Sequence, residues 1–197
     1  EYMNQKNGKN SLGIDVCFED LENPIDLFKN WFSKAEEKEI NDPNAVAVAT
    51  SDKNHQPNVR MVLLKGLSDK GFVFYTNFNS KKGQELKSNL KASLCFHWKS
   101  LRRQVRVLGE VEEVSTSESD EYYNSRPYKN KIGAWASSQS EELDKRETFL
   151  KKIKEFEKKY NDQQPIPRPP HWSGWRVIPK EIEFWLDGEG RIHERLN

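Results

Sequence analysis

Arg60-Met61-Val62-Leu63-Leu64-Lys65 and, after a polar turn, Gly71-Phe72-Val73-Phe74-Tyr75-Thr76 decide the fold class. Both runs are rich in branched and aromatic residues and too short for helices, so they read as strands. Alternation sends Arg60, Val62 and Leu64 to one face of the first and Met61, Leu63 and Lys65 to the other. Working outward, Ala45 to Thr50, Val59 to Lys65, Ala92 to Trp98 and Gln104 to Val114 carry the same signature between polar turns. Five strands with short links predict an antiparallel barrel or sandwich.

Helical signals flank the strands. Asn23-Pro24 followed by Leu27, Phe28, Trp31, Phe32 and Ala35 predicts a capped amphipathic helix lying over the sheet. Ser80 opens a short helix through Lys81, Lys82, Gln84 and Leu86. Ser115 opens another, with Glu118 at the spacing of a capping box. A longer helix is expected from about Ser140 to Tyr160, with Leu143, Leu150, Ile153, Phe156 and Tyr160 on one face. Pro165, Pro167, Pro169 and Pro170 then force an extended connection. Strands Trp175 to Ile178 and Glu181 to Leu186 follow, and Asp187-Gly188 reads as a tight turn into Arg191 to Leu196.

Bulk composition narrows the function classes. At 197 residues the chain suits one domain burying roughly 70% of its unfolded surface. Lys plus Arg number 32 against 31 Asp plus Glu, so no overall field draws the chain to nucleic acid or an anionic membrane, and any anion site must be built locally. The hydrophobic share is only 35%, yet six Trp, six Tyr and ten Phe supply large buriable surfaces, a balance that suits a core shared with a partner. Cys17 and Cys95 stand far apart without CxxC spacing, which points to a reducing cytoplasm and to neither a disulfide framework nor a metal site. No run of apolar residues approaches the length of a membrane span, and no signal-peptide pattern opens the chain.

Four constellations carry chemistry, each beside a plainer reading. The Arg60 to Lys65 strand places two cations around an apolar centre, but an ordinary strand with solvated ends does the same. Ser80-Lys81-Lys82 at a helix start suits a phosphate, although lysines in a turn also serve solubility. Arg126-Pro127 with Tyr122, followed by Ile132-Gly133-Ala134-Trp135-Ala136-Ser137-Ser138-Gln139-Ser140, is the most unusual stretch. Its plain reading is a loop with a buried Trp and an N-cap serine. Near the end, alternation would put Arg191, His193 and Arg195 on one side of a strand. They form either an anion-binding cluster or a basic edge that resists aggregation. No nucleophile with a paired base, no HExxH and no Gly-rich phosphate loop is present, so a cofactor is expected to carry the reaction.

Taken together, Arg60 to Lys65, Tyr75-Thr76-Asn77, Ser80-Lys81-Lys82, Gln104, Ser125-Arg126-Pro127, Ile132 to Ser140 and Ile182 to Arg195 resemble the pyridoxine/pyridoxamine 5′-phosphate oxidase family, in order and at similar spacing. The match covers nearly all of the chain after residue 23. It implies a mainly β fold with flanking helices (α+β), a six-stranded antiparallel split β-barrel of the FMN-binding type. Residues 1–22 would be a mobile segment, and 23–197 one flavin-binding domain including C-terminal dimerisation strands. The resemblance further implies a homodimer holding FMN in each interfacial cleft. FMN would be bound by Arg60, Met61, Val62, Leu63, Leu64, Lys65, Tyr75, Thr76, Ser80, Lys81, Lys82 and Gln104, with Gln139, Ser140, Trp185 and Arg195 reaching it from the other subunit. Lys65, Tyr122, Arg126 and Asn130 would hold the substrate phosphate. Arg191, Ile192 and His193 would sit on the pyridine ring, Arg191 and His193 as the catalytic pair. Asn130 stands where the family commonly has Ser, and Lys81 where it commonly has Arg. The implied reaction oxidises pyridoxine or pyridoxamine 5′-phosphate to pyridoxal 5′-phosphate with dioxygen, releasing hydrogen peroxide, and ammonia from the amine. Two competitors remain at this point: a split-barrel protein that binds FMN or pyridoxal phosphate without turnover, and a related flavin reductase.

Overall fold

The computed structural model describes residues 8–137, 145–162 and 165–197. In chain order the elements are α1 (Pro24–Lys38), β1 (Ala45–Ser51), β2 (Pro57–Leu63), β3 (Gly66–Ser68), β4 (Gly71–Asn77), α2 (Lys81–Ser88), β5 (Lys91–Trp98), β6 (Arg103–Glu113), α3 (Thr116–Ser125), α4 (Tyr128–Ala136), α5 (Arg146–Lys159), β7 (Trp172–Leu186) and β8 (Glu194–Leu196). All strands join one antiparallel sheet in the order β2-β1-β5-β6-β7-β4-β3, with β8 added to β7. The sheet curls into a half-barrel as β2 comes round to meet β4.

The mainly β, helix-flanked class is as expected, but the strand count is eight among the described residues rather than six. The three-residue β3, too short to show a period, is the strand the sequence did not announce, while β8 keeps only the end of the strand expected over Arg191 to Leu196. The two strands expected on either side of Pro179 are a single fifteen-residue β7. Proline normally ends a central strand because it cannot donate to the ladder. Here β7 itself bulges: Gly109 lies opposite Pro179 and Leu108 opposite Glu181, so Lys180 is the extra residue, left without a partner in the β6–β7 register. Gly109 is required at that point, since a Cβ there would stand 2.0 Å from the Ile178 carbonyl oxygen.

Helix α1 explains why so lean a sequence has a core. Asn23 caps it by accepting from the Ile25 N–H, Pro24 occupies the first turn, and Ile25, Leu27, Phe28, Trp31 and Ala35 are buried. Phe28 meets Phe72 edge-on at 4.9 Å and Phe96 at 5.0 Å, while Trp31 meets Phe184 at 5.2 Å. Residues ahead of α1 join this core: Phe18 is fully buried and packs on Trp31 at 5.3 Å. A second cluster, around Tyr123, Ile132, Ala134, Ile166 and Trp172, holds α3 and α4 against the sheet.

Ser115 caps α3 by accepting from Glu118 N–H, but the capping box stays half made, because the Glu118 carboxylate turns to Arg176 at 2.8 and 2.7 Å. Helix α4 occupies residues read from the sequence as a loop. It has no side-chain cap, and Trp135 Nε1 donates to the Pro167 carbonyl at 2.8 Å. Helix α5 begins at Arg146, and the start expected near Ser140 lies outside the described residues. Among the described residues, no helix is long and apolar enough to cross a membrane, and no group of three or more His, Cys, Asp or Glu side chains could hold a metal ion.

Candidate active site

Helix α2 builds the first part of the site. Its N-cap Ser80 is fully buried and accepts from the Gly83 N–H at 3.2 Å, which leaves other first-turn N–H groups to face an anion. Lys82, one residue into the helix, is buried and donates from Nζ to Thr76 Oγ1 at 2.5 Å. Burial, reinforced by the nearby Arg60 charge, pushes its ammonium down to about 8. An anion arriving here would relieve both penalties. Lys81 is exposed at the same turn.

Arg60 reaches this cradle from β2, where Asn58, Arg60 and Val62 share the inward face and Val59, Met61 and Leu63 the outward one. Its Nη1 donates to Thr50 Oγ1 at 2.5 Å and to the Val48 carbonyl at 3.4 Å, and its Nη2 to Glu85 Oε2 at 3.0 Å. Burial alone would raise the Glu85 carboxyl. Hydrogen bonds from Thr50, Asn58 and Arg60 outweigh that and hold it below its ordinary value, so the pair is ionic. Beyond the strand, Leu64 is buried, whereas Lys65 is exposed and donates its backbone N–H to Val73 O at 2.9 Å.

Aromatic rings wall the second part. Tyr75 stacks on Tyr122 at 4.1 Å and on Trp172 at 5.2 Å, and the Arg126 guanidinium lies 4.6 Å from the Trp172 ring centre. A cavity of about 380 Å³ opens between Tyr75, Thr76, Arg126, Asn130, Ser137 and Trp172. Arg126 Nη1 is buried there without a hydrogen-bond partner among the described residues, and burial lowers the Arg126 pKa. A buried guanidinium N–H left unbonded costs a few kcal/mol, on the order of 1–3, which an anionic ligand would offset. Tyr75 is pushed up to about 12, first by burial and then by Glu118, so it remains a neutral phenol at ordinary pH.

The third part sits at the far end of β7. Trp185 pairs in register with Gln104 on one side and Arg195 on the other, and its ring lies 4.8 Å from that of His193. Arg195 Nε is 3.8 Å from Glu183. Arg191, His193 and Arg195 do not alternate along one strand as the sequence suggested. Gly190 and Arg191 both take positive φ, 62° and 65°, in a tight turn ahead of β8, so only Arg195 is a strand residue. Arg191 and Ile192 are exposed and His193 is half-buried.

The predicted site therefore falls into two groups within one chain. Arg60, Tyr75, Thr76, Ser80, Lys82, Tyr122, Arg126 and Asn130 gather around β4 and the starts of α2 and α4. Trp185 stands eleven residues along β7 from Gly174, the partner of Tyr75, roughly 35 Å of strand. Gln139 and Ser140 lie outside the described residues. Sequence reasoning missed Thr50, Asn58 and Glu85 around Arg60, and Trp172 under Arg126. Glu85 carried a usable signal, being three residues after Lys82 and thus on the same face of α2.

Residues 32–160 match the family described as "Pyridoxamine 5'-phosphate oxidase", and residues 172–197 match "Pyridoxine 5'-phosphate oxidase C-terminal dimerisation region". A pyridoxine/pyridoxamine 5′-phosphate oxidase of Pelagibacter ubique is 60% identical over 190 residues, covering 96% of this chain and 91% of that protein. One of Agrobacterium fabrum is 56% identical over 179 residues, 91% and 86% of the two chains. Among solved structures, PhzG from Burkholderia lata 383, in complex with tetrahydrophenazine-1-carboxylic acid, superposes with a TM-score of 0.86 at 29% identity over 96% of this chain and 92% of its own.

Proposed function

Because this chain belongs to the pyridoxamine 5′-phosphate oxidase family, we propose that it oxidises pyridoxine 5′-phosphate and pyridoxamine 5′-phosphate to pyridoxal 5′-phosphate, as an FMN-dependent homodimer in vitamin B6 metabolism. Bound FMN would supply the hydride acceptor for the substrate's 4′ carbon and the route by which dioxygen is reduced to hydrogen peroxide. The alcohol needs only dioxygen, whereas the amine also consumes water and releases ammonia.

The residues present fit both ligands. Arg60, buried Lys82, the Ser80 cap and Lys81 would hold the FMN phosphate, with Met61 to Lys65, Tyr75, Thr76 and Gln104 beside the cofactor. Trp185 and Arg195, with Gln139 and Ser140, would reach FMN from the second copy, which accords with their distance from the cradle within one chain. Arg126, with Lys65, Tyr122 and Asn130, would bind the substrate phosphate, and the stacked Tyr122, Tyr75 and Trp172 rings would keep water from it. Arg191, Ile192 and His193 would orient the pyridine ring, and His193 could hold or move a proton there. Cytoplasmic location belongs to this reading too, supported by two cysteines that are both free.

The observation that carries this reading is Arg126, a half-buried cation against the Trp172 ring whose Nη1 is buried with no hydrogen-bond partner among the described residues. Incubating FMN-loaded protein with pyridoxamine phosphate in air tests it. Aldehyde and peroxide should appear in equal amounts, and a yellow protein producing neither would refute the oxidase reading.

A further inference from the structure

The turn that carries His193 contains an acid–base arrangement that the proposed site residues do not include. Asp187 Oδ1 lies 3.0 Å from His193 Nδ1. Its other oxygen, Oδ2, accepts from Arg102 Nε at 2.9 Å and Nη2 at 2.6 Å, and the Asp187 backbone N–H donates to the Arg102 carbonyl at 3.0 Å. Arg102 itself sits at φ 55°, in the tight turn leading into β6. Asp187 is therefore held by Arg102 at two points, its carboxylate by the guanidinium and its backbone N–H by the carbonyl, with its other carboxylate oxygen aimed at the imidazole. The Gly188 N–H also approaches His193 Nδ1, at 3.2 Å. The two contacts demand opposite protonation of Nδ1, since an N–H needs an acceptor and a carboxylate needs a donor. The carboxylate contact is shorter and charge-assisted, and the Arg102 pair keeps Asp187 ionised, so Nδ1 carries the proton.

We propose that Asp187, anchored by Arg102, is a positioning residue: it fixes the His193 ring with Nδ1 protonated and so presents Nε2 to the substrate. The inference rests on the reading above that His193 meets the pyridine ring. A carboxylate behind an imidazole sets both tautomer and ring angle, and the Trp185 ring at 4.8 Å limits the remaining rotation. Arg102 keeps the carboxylate from turning to solvent, and a bidentate guanidinium does this better than an ammonium.

A double-mutant cycle on the FMN-loaded dimer tests the arrangement. Asp187→Ala is expected to lower kcat roughly 10- to 100-fold, with FMN content and melting temperature at wild-type values. Asp187→Asn, whose amide oxygen still accepts from Nδ1–H, should recover part of the loss. In a His193→Ala background, Asp187→Ala should cost nothing further. Nitrogen NMR of labelled histidine should show the Nδ1–H form of His193 in the wild type and lose it in Asp187→Ala. Wild-type turnover in Asp187→Ala, or an undiminished loss in the His193→Ala background, would overturn the inference alone. Wild-type turnover in His193→Ala would instead overturn the site reading beneath it, and the inference with it.

Discussion

Lys82 and Arg126 are cations placed where water cannot fully solvate them, and in the proposed site each would recover that cost on meeting an anion. Lys82 has a folded pKa of about 8, below the ordinary lysine value of 10.5, so the apoprotein disfavours its charged form. A phosphate dianion restores that charge, and binding therefore takes up a proton once the pH exceeds about 8. FMN affinity should fall as pH rises from 8 to 10, by at most about tenfold per unit. Flavin fluorescence titrations of apoprotein would show this slope, and Lys82→Met should flatten it. For Arg126→Ala we expect the KM for pyridoxamine phosphate to rise roughly 10- to 100-fold, the loss of one charge-assisted hydrogen-bonding group. FMN content should not change, and steady-state kinetics with absorbance at the flavin band would separate the two. These cations were legible in the sequence because helix starts and Arg-Pro junctions have position-dependent chemistry. Asp187 was not, because an acid in a turn looks like any solvated acid until a tertiary partner such as Arg102 is seen beside it, and the spacing of Glu85 from Lys82 gave its helix face but not its partner Arg60.

At the level of elements, strands β1, β2, β4, β5 and β6 could be read within a residue or two because period-2 alternation and aromatic content survive in any single strand. What could not be read depends on neighbours. Pro179 looked like a break, and only the bulge at Lys180 beside it lets β7 run on as one strand against β6. Helix α4 has small residues and no cap, so its stability comes from packing in the Tyr123–Trp172 cluster rather than from local signals. Gly109→Ala should accordingly be costly, since its new Cβ meets the Ile178 carbonyl oxygen. We expect a loss of roughly 1–3 kcal/mol, read as a lowered midpoint in thermal or urea unfolding. A midpoint equal to that of the wild type would show that the β6–β7 crossing has slack. Phe28→Ala, which empties the centre of the α1 contact, should cost about 3–5 kcal/mol in the same assay.

Over the whole molecule, β7 is the organising element. One end of it forms the wall beside Tyr75 and Arg126, and the other carries Trp185 and the turn to His193 and Arg195. A strand of this length keeps the two groups apart within a chain, and on the proposed site a second copy would bring one group to the other. The match of residues 172–197 to a dimerisation region accords with that division. Pairing two inactive variants tests it most directly. Lys82→Ala disables the cradle and Arg195→Ala the reaching arm, and each variant dimer should be nearly inactive. Co-expressed, they should form mixed dimers in which one of the two sites has every residue intact, and pyridoxamine phosphate oxidation should return. Mixed dimers, isolated by two affinity tags, that remain as inactive as their parents would contradict a site assembled from both subunits.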